Sequence, residues 1–431
     1  MFNVRIIEDM LCKTLRYKIG LSLSIIGVTI GMLLNYAFPV MKWSPIIMFL
    51  SIALLFSKSM FRGTVKVNKF FVAILSFQII MIAYLFITAK SPTVLPKYLP
   101  FHLFVIFFSF VLMRNKEIKY VNFLPILFYF TSLLTIIAAV IVYLDLVAID
   151  IQLRKEETIL EVFTLDMASY ANMIAGICLL KGKSYTYRII IYIFILIDIY
   201  VIIKSGKRSY FVSVVIAIIF YLYKNRLLFK GLGISGVVLI VLLLVLPQVR
   251  ESTLEIINRT TDGFSTVYFS NKTQVYDENN SASIRKINQK KLLKDVDENF
   301  GIVHVFTGKG YLYAFIDNPL LESFLDMGII GFIYYCYIIL AIPFLFYKRI
   351  RKGNNFDLFL FLNSIVNITV IITNNNPYEY FVYTPACLMA MRYDEVNKRK
   401  NINVVIKHIK NIIAVRLKLK TMNLESKVID N

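Results

Sequence analysis

Apolar runs of about 20 residues recur along this chain of 431 residues, the length a helix needs to cross the hydrocarbon core of a bilayer. They fall at 19–38, 44–57, 69–89, 100–113, 121–144, 166–180, 189–203, 209–223, 231–247, 319–347, 356–373 and 377–391, separated by charged clusters. With 58% hydrophobic residues and a mean hydropathy of +0.67, no water-soluble core accounts for the pattern. The expected fold is an all-α polytopic membrane protein of about twelve transmembrane helices. One large polar segment, 248–318, lies between the ninth and tenth spans.

Basic residues set the orientation, because loops rich in Lys and Arg stay on the cytoplasmic side. With the amino terminus inside, 31 of the 48 Lys and Arg residues fall inside, in the clusters from Arg5, Lys58, Arg114, Lys181, Lys224, Lys348 and Arg392. Both termini are then cytoplasmic and 248–318 is exoplasmic. The chain divides into spans one to nine (1–247), the exoplasmic region (248–318), spans ten to twelve (319–391) and a basic cytoplasmic tail (392–431). The first apolar run follows Arg16 and Lys18 as in a signal sequence. No small-residue cleavage site closes it, so it reads as a retained helix.

The net charge of +21 is spread over many cytoplasmic turns. In the tail, Lys398 to Lys420 alternates basic with apolar residues, a pattern suited to anionic lipid and not to nucleic acid. Cys12, Cys178, Cys336 and Cys387 offer neither a disulfide framework nor a metal site. Gly231, Gly233 and Gly236 fit a dinucleotide pattern, but no strand precedes them. Gly27 and Gly31 form a G-x-x-x-G pair suited to helix packing. Sequons at Asn258, Asn271 and Asn279 would mean glycosylation in a eukaryote, but the composition, rich in Ile, Lys, Asn, Phe and Tyr, points instead to an AT-rich bacterial genome, in which chance sequons are common.

Two places depart from easy insertion. The outer turn Lys204-Ser205-Gly206-Lys207-Arg208-Ser209 holds three cations between two spans. Either they snorkel, or Arg208 at a helix start, with Lys207 and the Gly206 amide, forms an anion site for a phosphate-bearing headgroup. The second departure is the helix that returns the polar segment to the membrane. Asn318 suits an N-cap and Pro319 a first helical residue, placing Asp317 and Glu322 near the positive end of the dipole. Capping accounts for both, and so does a functional acid. Asp326 lies one turn beyond Glu322 on the same face, at membrane depth. Gly328 and Gly331 would let another helix approach closely.

With these residues the chain resembles the bacterial O-antigen polymerase and ligase superfamily of lipid-linked glycan transferases. Ligase members carry His, then Asn, Ser or Arg, nine residues, and G-x-x-G. Asp317, Asn318, Pro319 to Met327, Gly328 and Gly331 reproduce that spacing, with Asp in place of His. Phe306-Thr307-Gly308-Lys309-Gly310-Tyr311 resembles the family's Gly-x-Gly element. Ser283-Ile284-Arg285 resembles its loop arginine, and the turn at 205–209 its G-S-R element. The resemblance covers about 205–331. His304, 13 residues before Asp317, is a substitute for the missing histidine or a structural loop residue.

The resemblance implies a polymerase of O-antigen or capsular polysaccharide, joining undecaprenyl-diphosphate-linked repeat units on the exoplasmic face. It needs no cofactor or metal and works beside membrane lipids and a protein that sets chain length. Asp317, Glu322 and Arg285 are the implied catalytic residues. Arg208, Lys207 and Arg259 would hold the diphosphate, with Arg154 a further outer-side cation. Two rivals remain: an O-antigen ligase, disfavoured by the absent histidine, and a lipid-linked oligosaccharide flippase. A flippase predicts two similar halves and charges at depth, and the first half shows few.

Overall fold

A computed structural model of the chain describes residues 2–38, 42–61, 67–88, 94–143, 162–180, 183–205, 208–225, 254, 292, 294, 296, 298–313, 318–350, 354–373, 378 and 382–393. Among these residues there is no strand. The helices are α1 (Phe2–Ala37), α2 (Trp43–Leu55), α3 (Lys69–Thr88), α4 (Val94–Arg114), α5 (Leu124–Tyr143), α6 (Val162–Leu179), α7 (Tyr185–Lys204), α8 (Arg208–Asn225), α9 (Ile302–Thr307), α10 (Pro319–Cys336), α11 (Ile342–Arg349), α12 (Asn355–Thr373) and α13 (382–393). Among the described residues six apolar stretches are long enough to cross a membrane, and α2, Leu165–Leu179 of α6 and Ser209–Asn225 of α8 are shorter apolar helices. This is a helical, polytopic membrane protein. The apolar window 231–247 and Gly231, Gly233 and Gly236 lie outside the described residues.

Helices begin and end close to the apolar windows, because the backbone in lipid must satisfy its own hydrogen bonds until it reaches water. Two departures stand out. α1 extends back through the basic residues to Phe2, well before the apolar run. The tenth window is not one helix: α10 breaks at Gly328 (φ 66°, ψ −165°), and a π-helical stretch, Tyr337–Ala341, joins it to α11.

Small residues set the first contact. A side chain at Gly31 of α1 would collide with the Ser44 backbone of α2, and one at Gly20 or Gly27 would crowd Leu55 or Ile47, so the G-x-x-x-G pair serves helix packing as expected. α5, α6 and α7 form a second group and α8 and α12 a third, while α3 packs on both α4 and α10, and α10 reaches α12.

Side-chain bonds show that successive helices alternate in direction. At one end Lys13 pairs with Glu117 at 2.7 Å, Arg16 donates to the Phe56 carbonyl, Asn68 to that of Ala390, and Lys224 to that of Tyr347. The buried Arg392 Nε meets Asp357 Oδ1 at 2.8 Å at the same end. Basic residues gather there: Lys13, Arg16, Arg114, Lys119, Lys224, Arg349 and Arg392. The opposite end holds the close of α3, the start of α4, α9 and the first half of α10.

Candidate functional site

At the end opposite the basic cluster, α10 starts as its sequence dictates. Asn318 Oδ1 accepts from the Leu321 amide at 3.2 Å, and Pro319 takes the first helical position. Nine residues later Gly328 turns out of the helix. That turn frees the carbonyls of Leu325 and Asp326, whose helical donors no longer face them. The amides of Lys309 and Gly310 take them at 2.8 and 3.0 Å.

A second glycine completes the arrangement. Gly308 ends α9 with φ 66° and ψ −172°, nearly the conformation of Gly328. A Cβ on Gly308 would strike the Asp326 carbonyl, and one on Gly328 would strike the Phe306 carbonyl. Two backbones therefore touch where neither has a side chain. Sequence reasoning gave Gly328 and Gly331 a role as a surface for an approaching helix. Gly328 does meet the end of another helix, α9, but at a break in its own helix, whereas a side chain on Gly331 would meet Met327 of its own helix.

The clasp is tied on its far side by α3 and α4. Tyr84 donates to the Thr307 carbonyl at 2.7 Å, and Thr88 Oγ1 accepts from the Tyr311 amide at 2.7 Å while donating to the Tyr84 carbonyl. The Tyr311 hydroxyl meets His102 Nε2 at 2.7 Å, and His102 Nδ1 meets Gln78 Oε1 at 2.8 Å. The Tyr311 ring lies on that of Tyr378, centroids 4.1 Å apart, and Tyr98 packs edge-on against both. The Tyr378 hydroxyl donates to Asp326 Oδ2. Burial, reinforced by neighbouring charge that includes Asp326, raises the Tyr311 phenol well above its ordinary range, so it remains a hydroxyl donor.

Glu322 and Asp326 are both fully buried on the unbroken half-helix between Pro319 and Met327. Asp326 stands in the last turn before the break, at the negative end of that half-helix's dipole, where a carboxylate is disfavoured without a donor. Tyr378 supplies the donor.

Of the residues singled out in the sequence, Glu322 is placed here. Asp317, Arg285, Arg259, Lys207 and Arg154 lie outside the described residues. Arg208 is the first residue of α8, with only its backbone described. Lys204 is half-buried at the end of α7. His304 sits in α9, half-exposed, its ring 5.6 Å from that of Phe300. Sequence reasoning passed over Gln78, His102 and Tyr378 and named Tyr311 only as the end of the Gly-x-Gly element; the four come from separate segments with no shared motif. A lone His and Gln inside apolar runs was the available signal.

Two further features flank the site. Asp198 of α7 is fully buried and accepts from Thr135 of α5 at 2.7 Å and Asn172 of α6 at 2.9 Å. Asn172 Oδ1 in turn accepts from Thr131 and Ser132. Asp166 is buried as well, so the few acids at depth in the first half include Asp166 and Asp198. An apolar groove of about 650 Å³ runs between α8, the π-helical stretch and α12, lined by Phe220, Phe332, Tyr337, Phe344, Phe361 and Thr369 among others. At its head, Thr369 bonds Ser213 and the Ser209 carbonyl, one residue from Arg208.

No protein-family model matches the chain, and no curated protein matches it.

Proposed function

We propose that this protein is a polysaccharide polymerase that joins undecaprenyl-diphosphate-linked repeat units on the outer face of a bacterial cytoplasmic membrane. The observation that carries the reading is the backbone contact of Gly308 with Gly328. It makes one structural unit of two elements that resemble the polymerase and ligase superfamily separately, and it sets two buried acids on the half-helix that enters the contact. The orientation that goes with this reading has twelve spans, both termini with the basic end in the cytoplasm, and 248–318 outside.

In the reaction, an acceptor sugar hydroxyl attacks the anomeric carbon of the donor. The new C–O bond forms as the bond to the diphosphate breaks, and the departing diphosphate keeps the electron pair. Glu322, or Asp317 before the N-cap, receives the hydroxyl proton. Arg285, Arg208, Lys207 and Arg259 are the cations assigned to the diphosphate charge, a role in which fixed donors stabilise the transition state more than the ground state. The groove beside α8 suits the polyprenyl chain, because its head reaches the residue next to Arg208.

The Asp198 cluster favours a second reading, a flippase, since polar groups at depth in the first half are what transport requires. The two separate in cells deleted for the gene and complemented with wild type, Glu322→Gln or Arg285→Ala at matched membrane level. Single repeat units on the surface acceptor, with long chains lost, support the polymerase. Lipid-linked units held on the cytoplasmic face support the flippase, and full-length polymer left untransferred supports a ligase.

A further inference from the structure

His102 lies 1% exposed in α4, between Gln78 of α3 and the Tyr311 hydroxyl. Gln78 Oε1 is an acceptor only, so the proton of a neutral imidazole sits on Nδ1 and the Nε2 lone pair faces Tyr311. Tyr311 then donates to His102, which fixes the direction of its phenol. The ring so held is the platform on which Tyr378 lies, and Tyr378 holds Asp326. The Tyr311 backbone, in turn, continues from the Lys309 and Gly310 amides that close the helix break. The half-helix bearing Glu322 is thus gripped twice by the segment that His102 locks, once through its carbonyls and once through Asp326.

We infer that His102, oriented by Gln78, is a positioning residue that acts through Tyr311 and Tyr378 on Asp326 and so fixes the half-helix carrying Glu322. This rests on the polymerase reading for its kinetic consequence, while the hydrogen-bond chain stands independently of it. Nothing in the chain passes a proton to substrate. Its effect is geometric, and small displacements of a reacting group cost rate steeply, up to about 100-fold for roughly 1 Å.

Two measurements on the full-length protein in lipid nanodiscs test it. The first is polymerisation of lipid-linked repeat units by His102→Leu, His102→Gln and Tyr311→Phe. Leucine fills the site without the bonds, whereas a glutamine amide presents both an acceptor to Tyr311 and a donor to Gln78. The expected result is a fall in kcat of about tenfold for His102→Leu and Tyr311→Phe with KM for the donor unchanged, recovery to within about threefold for His102→Gln, and no further loss in the double variant, as for residues that act as a unit. Packing alone would leave His102→Leu active and penalise His102→Gln. The second is ¹⁵N-histidine NMR, tractable because the chain has three histidines. His102 is expected to show a protonated Nδ1 and an accepting Nε2 whose signal moves in Tyr311→Phe, a variant that removes one hydroxyl and leaves the ring.

If Glu322→Gln stops elongation while His102→Leu elongates like wild type, the inference is overturned and the polymerase reading survives. If the wild-type protein joins no repeat units, the polymerase reading fails, and the nitrogen signals decide the rest. A bonded Nε2 acceptor that Tyr311→Phe abolishes upholds the chain, and a proton on Nε2 overturns it.

Discussion

Gly328 carries a backbone conformation, φ 66° with ψ −165°, that lies in a region essentially restricted to glycine. Gly328→Ala therefore combines backbone strain of about 1–3 kcal/mol with a collision against the Phe306 carbonyl. The expected outcome is a clear fall in melting temperature of the purified protein, read by intrinsic fluorescence, and Gly308→Ala should behave alike for the mirrored reason. An ordinary melting curve for both would mean that the two backbones do not meet. At the other end of the bundle, Glu117 outside the spans is held below its ordinary value of 4.5, chiefly by the Lys13 hydrogen bond with Tyr17 adding to it, against the opposing effect of burial. A depressed carboxylate stabilises above its unfolded pKa, and the contribution is lost as pH falls below about 4.5 through the folded value. Wild type should thus melt above Glu117→Gln near neutrality, by a small margin because the pair is exposed, and the gap should close in acid. A gap independent of pH would point to packing instead.

Among elements, α10 shows what a linear pattern reveals and what it hides. Its start was legible, since Asn-Pro ahead of an apolar run is a cap followed by a first helical residue. Asn318→Ala should lower stability by about 1 kcal/mol in a denaturant titration, and an unchanged midpoint would show that the cap contributes nothing. The break at Gly328 was not legible, because the run stays apolar on both sides and nothing local requires a turn. Its cause is non-local: the Lys309 and Gly310 amides are available to the freed carbonyls. Likewise Asp326 was readable as an acid at depth, but Tyr378, 52 residues on, is its partner only in the folded chain. The α5–α6–α7 group follows the same logic. Asp198→Asn keeps hydrogen-bonding oxygen at the site and should fold, whereas Asp198→Leu leaves Thr135 and Asn172 donors buried without their acceptor. The difference expected between the two variants is about 1–3 kcal/mol in thermal or denaturant unfolding, and equal stability would contradict the cluster's role.

For the whole molecule, the membrane class and most helix positions follow from apolar run length, because the bilayer allows few alternatives. The spatial sorting of basic side chains to one end accords with the orientation inferred from their loops. Cys12, exposed near the start of α1 at that end, gives a native test. A membrane-impermeant maleimide should label it in inverted vesicles and not in intact cells, and labelling in intact cells would reverse the topology. The groove along α8 and α12 makes a separate prediction. Ala341→Trp fills it from the π-helical stretch, so KM for a polyprenyl-linked donor should rise severalfold with kcat little altered, and an unchanged KM would remove the groove as the chain's seat.

The central claim is that the half-helix ending at Gly328 carries the acid of a chain-extending transferase. The most direct measurement is elongation of synthetic undecaprenyl-diphosphate-linked repeat units by the purified protein, comparing wild type with Glu322→Gln and Asp326→Asn. The expected outcome is a wild-type ladder of lengthening glycans, reduced about 100-fold or more by Glu322→Gln and less by Asp326→Asn. A wild-type protein that leaves the single units unjoined, or a Glu322→Gln variant that elongates at full rate, would contradict it.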